Sequence, residues 1–133
     1  MYETLILIDP KTATTDNFIQ TALNKAYPDT SGSNPAVIQR GSDFKVKWPN
    51  FGIEIHLSDL PHVLEESREI AERFAKGRTE QERISQCFTR VEITGDEDPG
   101  MEYFNDYCYI ISAIENIGIV YTFDQGSLQF MNI

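Results

Sequence analysis

Residues 36–57 carry the pattern that most strongly constrains the fold. Apolar and polar side chains alternate in residues 44–48 and again in residues 53–57. Turn-forming residues lie before the first of these runs, at Gly41-Ser42, and between the two, at Pro49-Asn50. A period of two places successive side chains on opposite faces of a β-strand. The stretch therefore predicts a three-stranded antiparallel meander with one apolar face. The second face, exposed to water or to a partner, is predicted to carry Lys45, Lys47, Glu54 and His56.

The rest of the chain switches between strand and helix signals. Four consecutive aliphatic residues, Leu5–Ile8, predict a central strand that is buried on both faces. Apolar residues at helical spacing predict helices in residues 14–27, 59–77, 79–86 and 101–117. That central strand spans residues 2–9, and further strands are predicted in residues 87–94, 119–123 and 128–131. Residues 28–35 have the composition of a loop.

These elements predict one α+β domain that spans residues 1–133, in the order β-α-β-β-β-α-α-β-α-β-β. The sheet is expected to be mixed but mostly antiparallel, with three main helices. The longest apolar runs are far shorter than the ~20 residues that a membrane-spanning helix needs. The N-terminus lacks the basic segment of a secretory signal, so we expect a cytoplasmic protein.

Two local expectations concern polar residues at the ends and faces of these elements. Ser58 or Asp59 is predicted to cap the helix that begins near Pro61. In the strand at residues 87–94, the alternation predicts that Arg90 and Glu92 point outward while the apolar residues between them point inward.

The charges are distributed very unevenly along the chain. No lysine, arginine or histidine follows Arg90, whereas the same segment holds eight carboxylates and seven of the fifteen aromatic residues. The whole chain has a net charge of −10. Binding to nucleic acid or to an anionic membrane needs clustered basic residues, so neither partner is expected. A surface that is both acidic and aromatic favours a basic protein partner.

The predicted partner-binding surface lies in the acidic loop and on the outer side of the last helix. It comprises Asp96, Glu97, Asp98, Glu102, Asp106 and Tyr109. A calcium loop is an alternative, but the EF-hand pattern fails because Met101 and Tyr107 occupy its sixth and twelfth positions. Helix polarity is a second alternative explanation of these acidic residues, because negative charge near a helix N-terminus is stabilising. It explains about half of the acidic cluster. The buried side of this helix is predicted to include Phe104, Tyr107 and Cys108.

A second possible site combines His56, Asp59 and His62, which could bind zinc or form an acid–base pair if the strand-to-helix angle brought them together. The sequence contains no nucleophile elbow, phosphate-binding loop, HExxH or dinucleotide motif. Cys87 and Cys108 lack the spacing of a disulfide framework or a zinc site, and both are expected to be buried. We therefore expect no enzyme activity and no cofactor.

In size, acidic charge and lack of catalytic motifs, the chain resembles the small antidote proteins, or immunity proteins, with which bacteria neutralise toxins. The resemblance includes no specific residue pattern and assigns no role to any residue. It implies a non-enzymatic binding module that neutralises a basic partner such as a nuclease toxin. A metal-dependent enzyme and a structural or assembly subunit, with the polar meander face or the closing strand as its interface, are the alternatives.

Overall fold

A computed structural model describes residues 1–28, 32 and 34–133, so half of the loop predicted at residues 28–35 lies outside the described residues. The strands are β1 Tyr2–Ile8, β2 Ala36–Arg40, β3 Asp43–Trp48, β4 Phe51–Ser58, β5 Thr89–Gly95, β6 Val120–Asp124 and β7 Gln129–Phe130. The helices are α1 Asp16–Ala26, α2 Pro61–Phe74, α3 Gln81–Ser85 and α4 Phe104–Glu115. This order confirms the predicted succession of elements and the α+β class.

All seven strands form one sheet in the order β2-β3-β4-β5-β1-β6-β7. Every pairing between neighbouring strands is antiparallel. The run Leu5–Ile8 lies inside the sheet, between β5 and β6, and all four of its side chains are buried. This confirms the prediction of a central strand that is buried on both faces.

Helices α1 and α4 cover one face of the sheet and enclose the larger core. Ile19 and Leu23 of α1, and Ile110 and Ile114 of α4, pack there against the apolar side chains of the sheet. The Tyr107 hydroxyl donates to the Ile93 carbonyl at 3.2 Å and accepts from the Thr4 hydroxyl at 2.7 Å. These hydrogen bonds satisfy the buried polar groups beneath α4.

Helices α2 and α3 lie against the opposite face, where they cover β1, β6 and β7. Asp9, just after β1, ties α3 to the sheet because it accepts hydrogen bonds from the Tyr121 hydroxyl at 2.7 Å and from Arg83 at 3.0 Å. Burial raises the pKa of Asp9, but these bonds and one from the Lys11 N–H outweigh burial and leave the pKa below its usual value. No helix of the described part of the chain covers the half of this face formed by β2, β3 and β4, and Glu54 is exposed there.

Arg90 does not point outward, and the prediction for this residue was wrong. Its side chain is 6% exposed and pairs with Glu66 of α2 at 3.0 Å and with Glu92 at 2.8 Å. The reason is that α2 packs over β5, so both faces of this strand are covered near Arg90. Glu92 remains partly exposed and balances the buried guanidinium, which needs a close carboxylate in a poorly solvated position.

Other local predictions also differ from the structure. Neither Ser58 nor Asp59 caps α2: the N-cap position is Leu60, without a side-chain hydrogen bond. The last helix begins at Phe104 rather than at residue 101, because a turn held by Asp98 precedes it. Phe104 is 40% exposed and Cys108 is also exposed, so the buried stripe of α4 is rotated towards Ile110.

Replacing Ile110 by alanine is expected to lower the free energy of unfolding by about 2–5 kcal/mol, because the fully buried side chain would leave a cavity between α4 and the sheet. Denaturant titration of the purified variant measures this loss. Cys108→Ala is the matched control on the same helix: its side chain is exposed, so we expect a change within about 0.5 kcal/mol. Equal effects of the two substitutions would contradict the described orientation of α4.

Candidate docking groove

An apolar groove runs along the outer surface of the molecule between α1 and α4. We call it the α1–α4 groove; its volume is about 500 Å³ and its lining carries more apolar than polar surface. It is lined by Phe18, Thr21, Ala22, Lys25, Ala26, Tyr109, Ser112, Ala113, Asn116 and Ile117. Phe18 is 49% exposed and Tyr109 is 51% exposed, so each helix contributes one large aromatic side chain that solvent can reach.

The spacing of residues along the two helices explains the groove. Its α1 residues recur every three or four positions from Phe18 to Lys25, and those of α4 and its C-cap do so from Tyr109 to Asn116. Such positions share one side of a helix. On each helix the groove-lining residues lie next to the buried residues, so the lining residues of the two helices face each other across the α1–α4 groove. Small residues, including Ala22 and Ala113, leave the groove unfilled.

Tyr109, which the sequence predicted as a partner-binding residue, is exposed but held in place. Its ring meets that of Tyr27 edge to face, with the centroids 5.7 Å apart, and its hydroxyl donates to the Ala26 carbonyl at 3.4 Å. The Tyr27 hydroxyl in turn donates to Asp106 at 3.3 Å. Burial, together with the nearby Asp106 carboxylate, raises the pKa of Tyr27, so its hydroxyl keeps its proton. The structure therefore brings Asp106 and Tyr109 together at one end of the groove.

Asp98 has a structural role that the sequence did not assign. Its carboxylate accepts hydrogen bonds from the Tyr2 hydroxyl at 2.6 Å and from the backbone N–H groups of Glu102 and Tyr103 at 3.0 Å each. Desolvation raises the pKa of Asp98, but these three bonds outweigh desolvation and leave the pKa below its usual value. The same contact raises the pKa of Tyr2 to about 12. Asp98 thus fixes the turn before α4 and ties this turn to β1.

The other residues of the acidic loop divide between structural and free groups. Asp96 exchanges two hydrogen bonds with the backbone of Gly52, at 2.9 and 3.0 Å. Glu97 lies 3.4 Å from the N-terminal ammonium group, and both groups are well exposed. Among the contacts of the described residues, none involves the Glu102 carboxylate. Glu97 and Glu102 are thus the members of the predicted set that are the most available to a partner.

His56, Asp59 and His62 are not assembled into a site. His56 pairs with Asp43 on the neighbouring strand, and His62 lies 4.0 Å from Glu66 one turn along α2. Within residues 1–28, 32 and 34–133, no group of three or more His, Cys, Asp or Glu side chains is arranged to hold a metal ion. The required strand-to-helix angle is therefore not the one that this chain adopts.

The α1 half of the groove was not predicted from the sequence. Phe18 has the helical spacing of a core residue, yet it lies beside the buried stripe. The available signal was the width of the apolar arc, because the adjacent pairs Phe18-Ile19 and Ala22-Leu23 place apolar residues on more than one side of the helix. Such an arc covers more of the helix surface than the sheet alone can bury.

Comparisons with known proteins do not identify a relative. No protein-family model matches the chain, no curated protein is significantly similar to it, and no solved structure matches it. As to membranes, none of the helices in the described part of the chain has the length and apolar character needed to span one. Arguments about function therefore depend on the groove and on the charges around it.

Replacing Asp98 by asparagine is expected to reduce stability in a pH-dependent way. A carboxylate with a lowered pKa contributes stability that is fully present above its ordinary pKa of 3.8 and is lost as the pH falls through the lower folded-state value. The difference in unfolding free energy between wild type and variant should therefore be constant above about pH 5 and shrink below about pH 4. Denaturant titrations across this range measure the difference.

Glu97→Gln is the control for this pH series. Its exposed contact with the N-terminus should contribute little to stability at any pH. A difference for Asp98→Asn that stayed constant down to the acid limit would contradict the described hydrogen bonds.

Proposed function

We propose that this protein is a non-enzymatic binding module that docks a basic protein partner through the α1–α4 groove and the acidic end of α4. One observation carries the proposal: an apolar groove with two half-exposed aromatic residues ends at Tyr109, one helical turn from the acidic Asp106 on α4. Aromatic anchors in a pocket, surrounded by polar groups, are typical of the energetic centre of protein interfaces.

The packing of Tyr109 supports its role as an anchor. Contacts with Tyr27 and Ala26 restrict the ring before any partner arrives, so less side-chain entropy is lost on binding. Half of its surface remains available for contact. On the opposite side of the groove, Phe18 offers a second apolar surface of similar exposure. A partner that inserts apolar side chains between the two rings would remove both from water.

The charge distribution supports a basic partner. The segment that follows Arg90 contains eight carboxylates and no basic residue. Asp96 and Asp98 are committed to internal hydrogen bonds, whereas Glu97 and Glu102 remain exposed near the start of α4. Opposite charges accelerate encounter and orient the partner before the groove is occupied. Within the groove itself, Lys25 is the basic side chain, and it offers a contact for a carboxylate of the partner.

The finer role that we propose is that of an antidote in the bacterial cytoplasm. A nuclease toxin binds phosphate through clustered basic residues, and a tightly bound acidic protein would occupy that surface. The mechanism would be electrostatic steering followed by occlusion of the toxin. Size, acidity and the exposed Glu97 and Glu102 support this role.

The electrostatic part of the proposal predicts the effect of reversing two exposed charges. Once a partner has been captured from the native cell and identified, Glu97→Lys with Glu102→Lys should slow association at least tenfold at low salt and flatten its salt dependence. Stopped-flow measurement over a range of salt concentrations tests this.

Glu69→Lys with Glu72→Lys on α2 is the matched control, since it changes the net charge equally on another exposed surface. Equal slowing by the two pairs would show that only the net charge matters. If the partner is a nuclease, its activity in the presence of equimolar wild-type protein separates neutralisation from binding without inhibition.

The groove part of the proposal predicts the effect of a polar substitution. Phe18→Asp should weaken equilibrium binding at least about thirtyfold, because truncating an aromatic anchor costs about 2 kcal/mol or more. Phe88→Asp is the control, since Phe88 is 52% exposed and does not line the groove. Isothermal titration calorimetry with the same partner gives both dissociation constants. Unchanged binding by Phe18→Asp and by Tyr109→Ala would exclude the groove as the docking site.

A further inference from the structure

The two edges of the sheet differ in how their hydrogen-bonding groups are satisfied. At one edge, β7 has only two residues, and the C-terminal residues continue its pairing along β6. The Met131 N–H donates to the Thr122 carbonyl, while the Asn132 side-chain amide accepts from the Thr122 N–H and donates to the Val120 carbonyl, all at 2.8 Å. The side chain of Asn132 thus satisfies the groups of β6 that the short β7 leaves unpaired, and β7 itself offers only two residues to a further strand.

The other edge, β2, is open. Its five residues include neither proline nor glycine nor lysine, and four of them are exposed. A two-residue turn joins β2 to β3, with Gly41 at φ 62°, and the pair that flanks the turn is Arg40 and Asp43. The flanking pair of such a turn is hydrogen-bonded, and bonded pairs alternate along the ladder. The backbone groups of Val37 and Gln39 therefore point away from the sheet.

Nothing in the described chain covers these groups. The hydrogen bonds of its turns, loops and side chains do not include a backbone group of Val37 or Gln39. Ile38, between them, is 44% exposed. It lines a pocket of about 620 Å³ on the uncovered face of the sheet. Natural proteins usually protect such an edge with a charge, a proline or a bulge. None of these devices occurs within residues 36–39.

We propose that β2 pairs antiparallel with β2 of a second copy of this chain, in a register centred on Ile38. In this register Val37 of each copy lies opposite Gln39 of the other. Each of these two residue pairs can form two N–H···O hydrogen bonds, so the interface has four in total. The two Ile38 side chains meet in the central non-hydrogen-bonded pair, where side chains approach most closely. The two seven-stranded sheets would become one continuous sheet.

The neighbouring registers are less favourable. A register centred on Val37 places Pro35, which has no N–H, opposite Gln39. A register centred on Gln39 leaves one fully bonded pair and sets Arg40 opposite Ile38. Only the register centred on Ile38 uses the outward groups of both residues and buries the exposed isoleucine against itself. The strand is therefore self-complementary, as a twofold interface requires.

The local charge permits this contact although the whole chain carries −10. Residues 36–48 contain three basic side chains and one acidic side chain, so strands β2 and β3 together carry a net positive charge. In the proposed register each Arg40 lies opposite Ala36 of the other copy, and like charges are not directly opposed. The acidic segment after Arg90 belongs to β5, α4 and β6, which are separated from this edge by β3 and β4.

The assembly should stop at two copies. Pairing consumes the open β2 edge of each chain, and at the other edge the two residues of β7 are too short a strand to pair with a further copy. A five-residue strand pairing buries less surface than the roughly 1,200–2,000 Å² of a stable interface, so the dimer should be weak and concentration-dependent. This inference is independent of the groove, which lies on the helices α1 and α4.

Sedimentation equilibrium from about 10 μM to about 1 mM protein tests the proposal. The average mass of the wild type should rise from 15.2 kDa towards twice that value and no further. Ile38→Lys should stay monomeric, because it sets two lysines directly opposite each other. Met131→Lys is the control: it adds the same charge beside the other edge, at a side chain that is 64% exposed, and should behave as the wild type.

Cysteine cross-linking tests the register itself. In a Cys108→Ser background, Ile38→Cys should form an intermolecular disulfide under mild oxidation, because the paired Cα atoms would lie about 4.5 Å apart. Arg40→Cys should not, since the two copies of residue 40 would be about 13 Å apart. A wild type that remains monomeric at every concentration, masses above that of a dimer, or efficient cross-linking through residue 40 would each overturn the proposal. If the edge instead accepts an extended segment of another protein, the wild type alone will be monomeric.

Discussion

The structure depends on the burial of β1 between two separate cores. Successive side chains of Leu5–Ile8 point alternately towards the α1–α4 layer and towards the α2–α3 layer. Because the side chains on both faces are aliphatic, each face can exclude water without leaving a polar group unsatisfied. The strand is also paired along both edges, with β5 and β6. Each layer of helices is therefore fixed relative to the other through one strand.

This central arrangement determines which charged residues can enter the interior. Arg90 lies on β5 next to β1, beneath α2, and its burial requires Glu66 and Glu92. Asp9, at the end of β1, similarly receives Tyr121 and Arg83. Away from the centre the requirement disappears, and the β2–β4 half of the same face carries exposed and partly exposed charges. The open face and the open edge are therefore on the side of the molecule that is farthest from β6 and β7.

The acidic segment combines two uses of carboxylates. Asp96, Asp98 and Asp106 accept hydrogen bonds that join the loop and α4 to β1, β4 and the end of α1. The remaining exposed carboxylates, among them Glu97 and Glu102, stay available for electrostatic attraction. Of the hydrogen bonds, those from the Glu102 and Tyr103 N–H groups to Asp98 are local turn contacts, whereas those of Asp96 and Asp106 are made with residues distant in the chain. The proposed binding function uses the exposed carboxylates, the neighbouring groove and the end of α4 that carries Asp106.

The succession of elements, the interior position of β1 and the exposed polar face of the meander could be predicted from the sequence. These features follow from local periodicity and turn residues, which act over a few neighbouring positions. Packing between distant elements is what buries Arg90, rotates α4 to expose Phe104 and Cys108, and sets Phe18 opposite Tyr109 across a groove. These outcomes depend on which helix covers which strand and at what angle. Periodicity within a single element does not contain that information, because it is set by packing between residues that are distant in the chain.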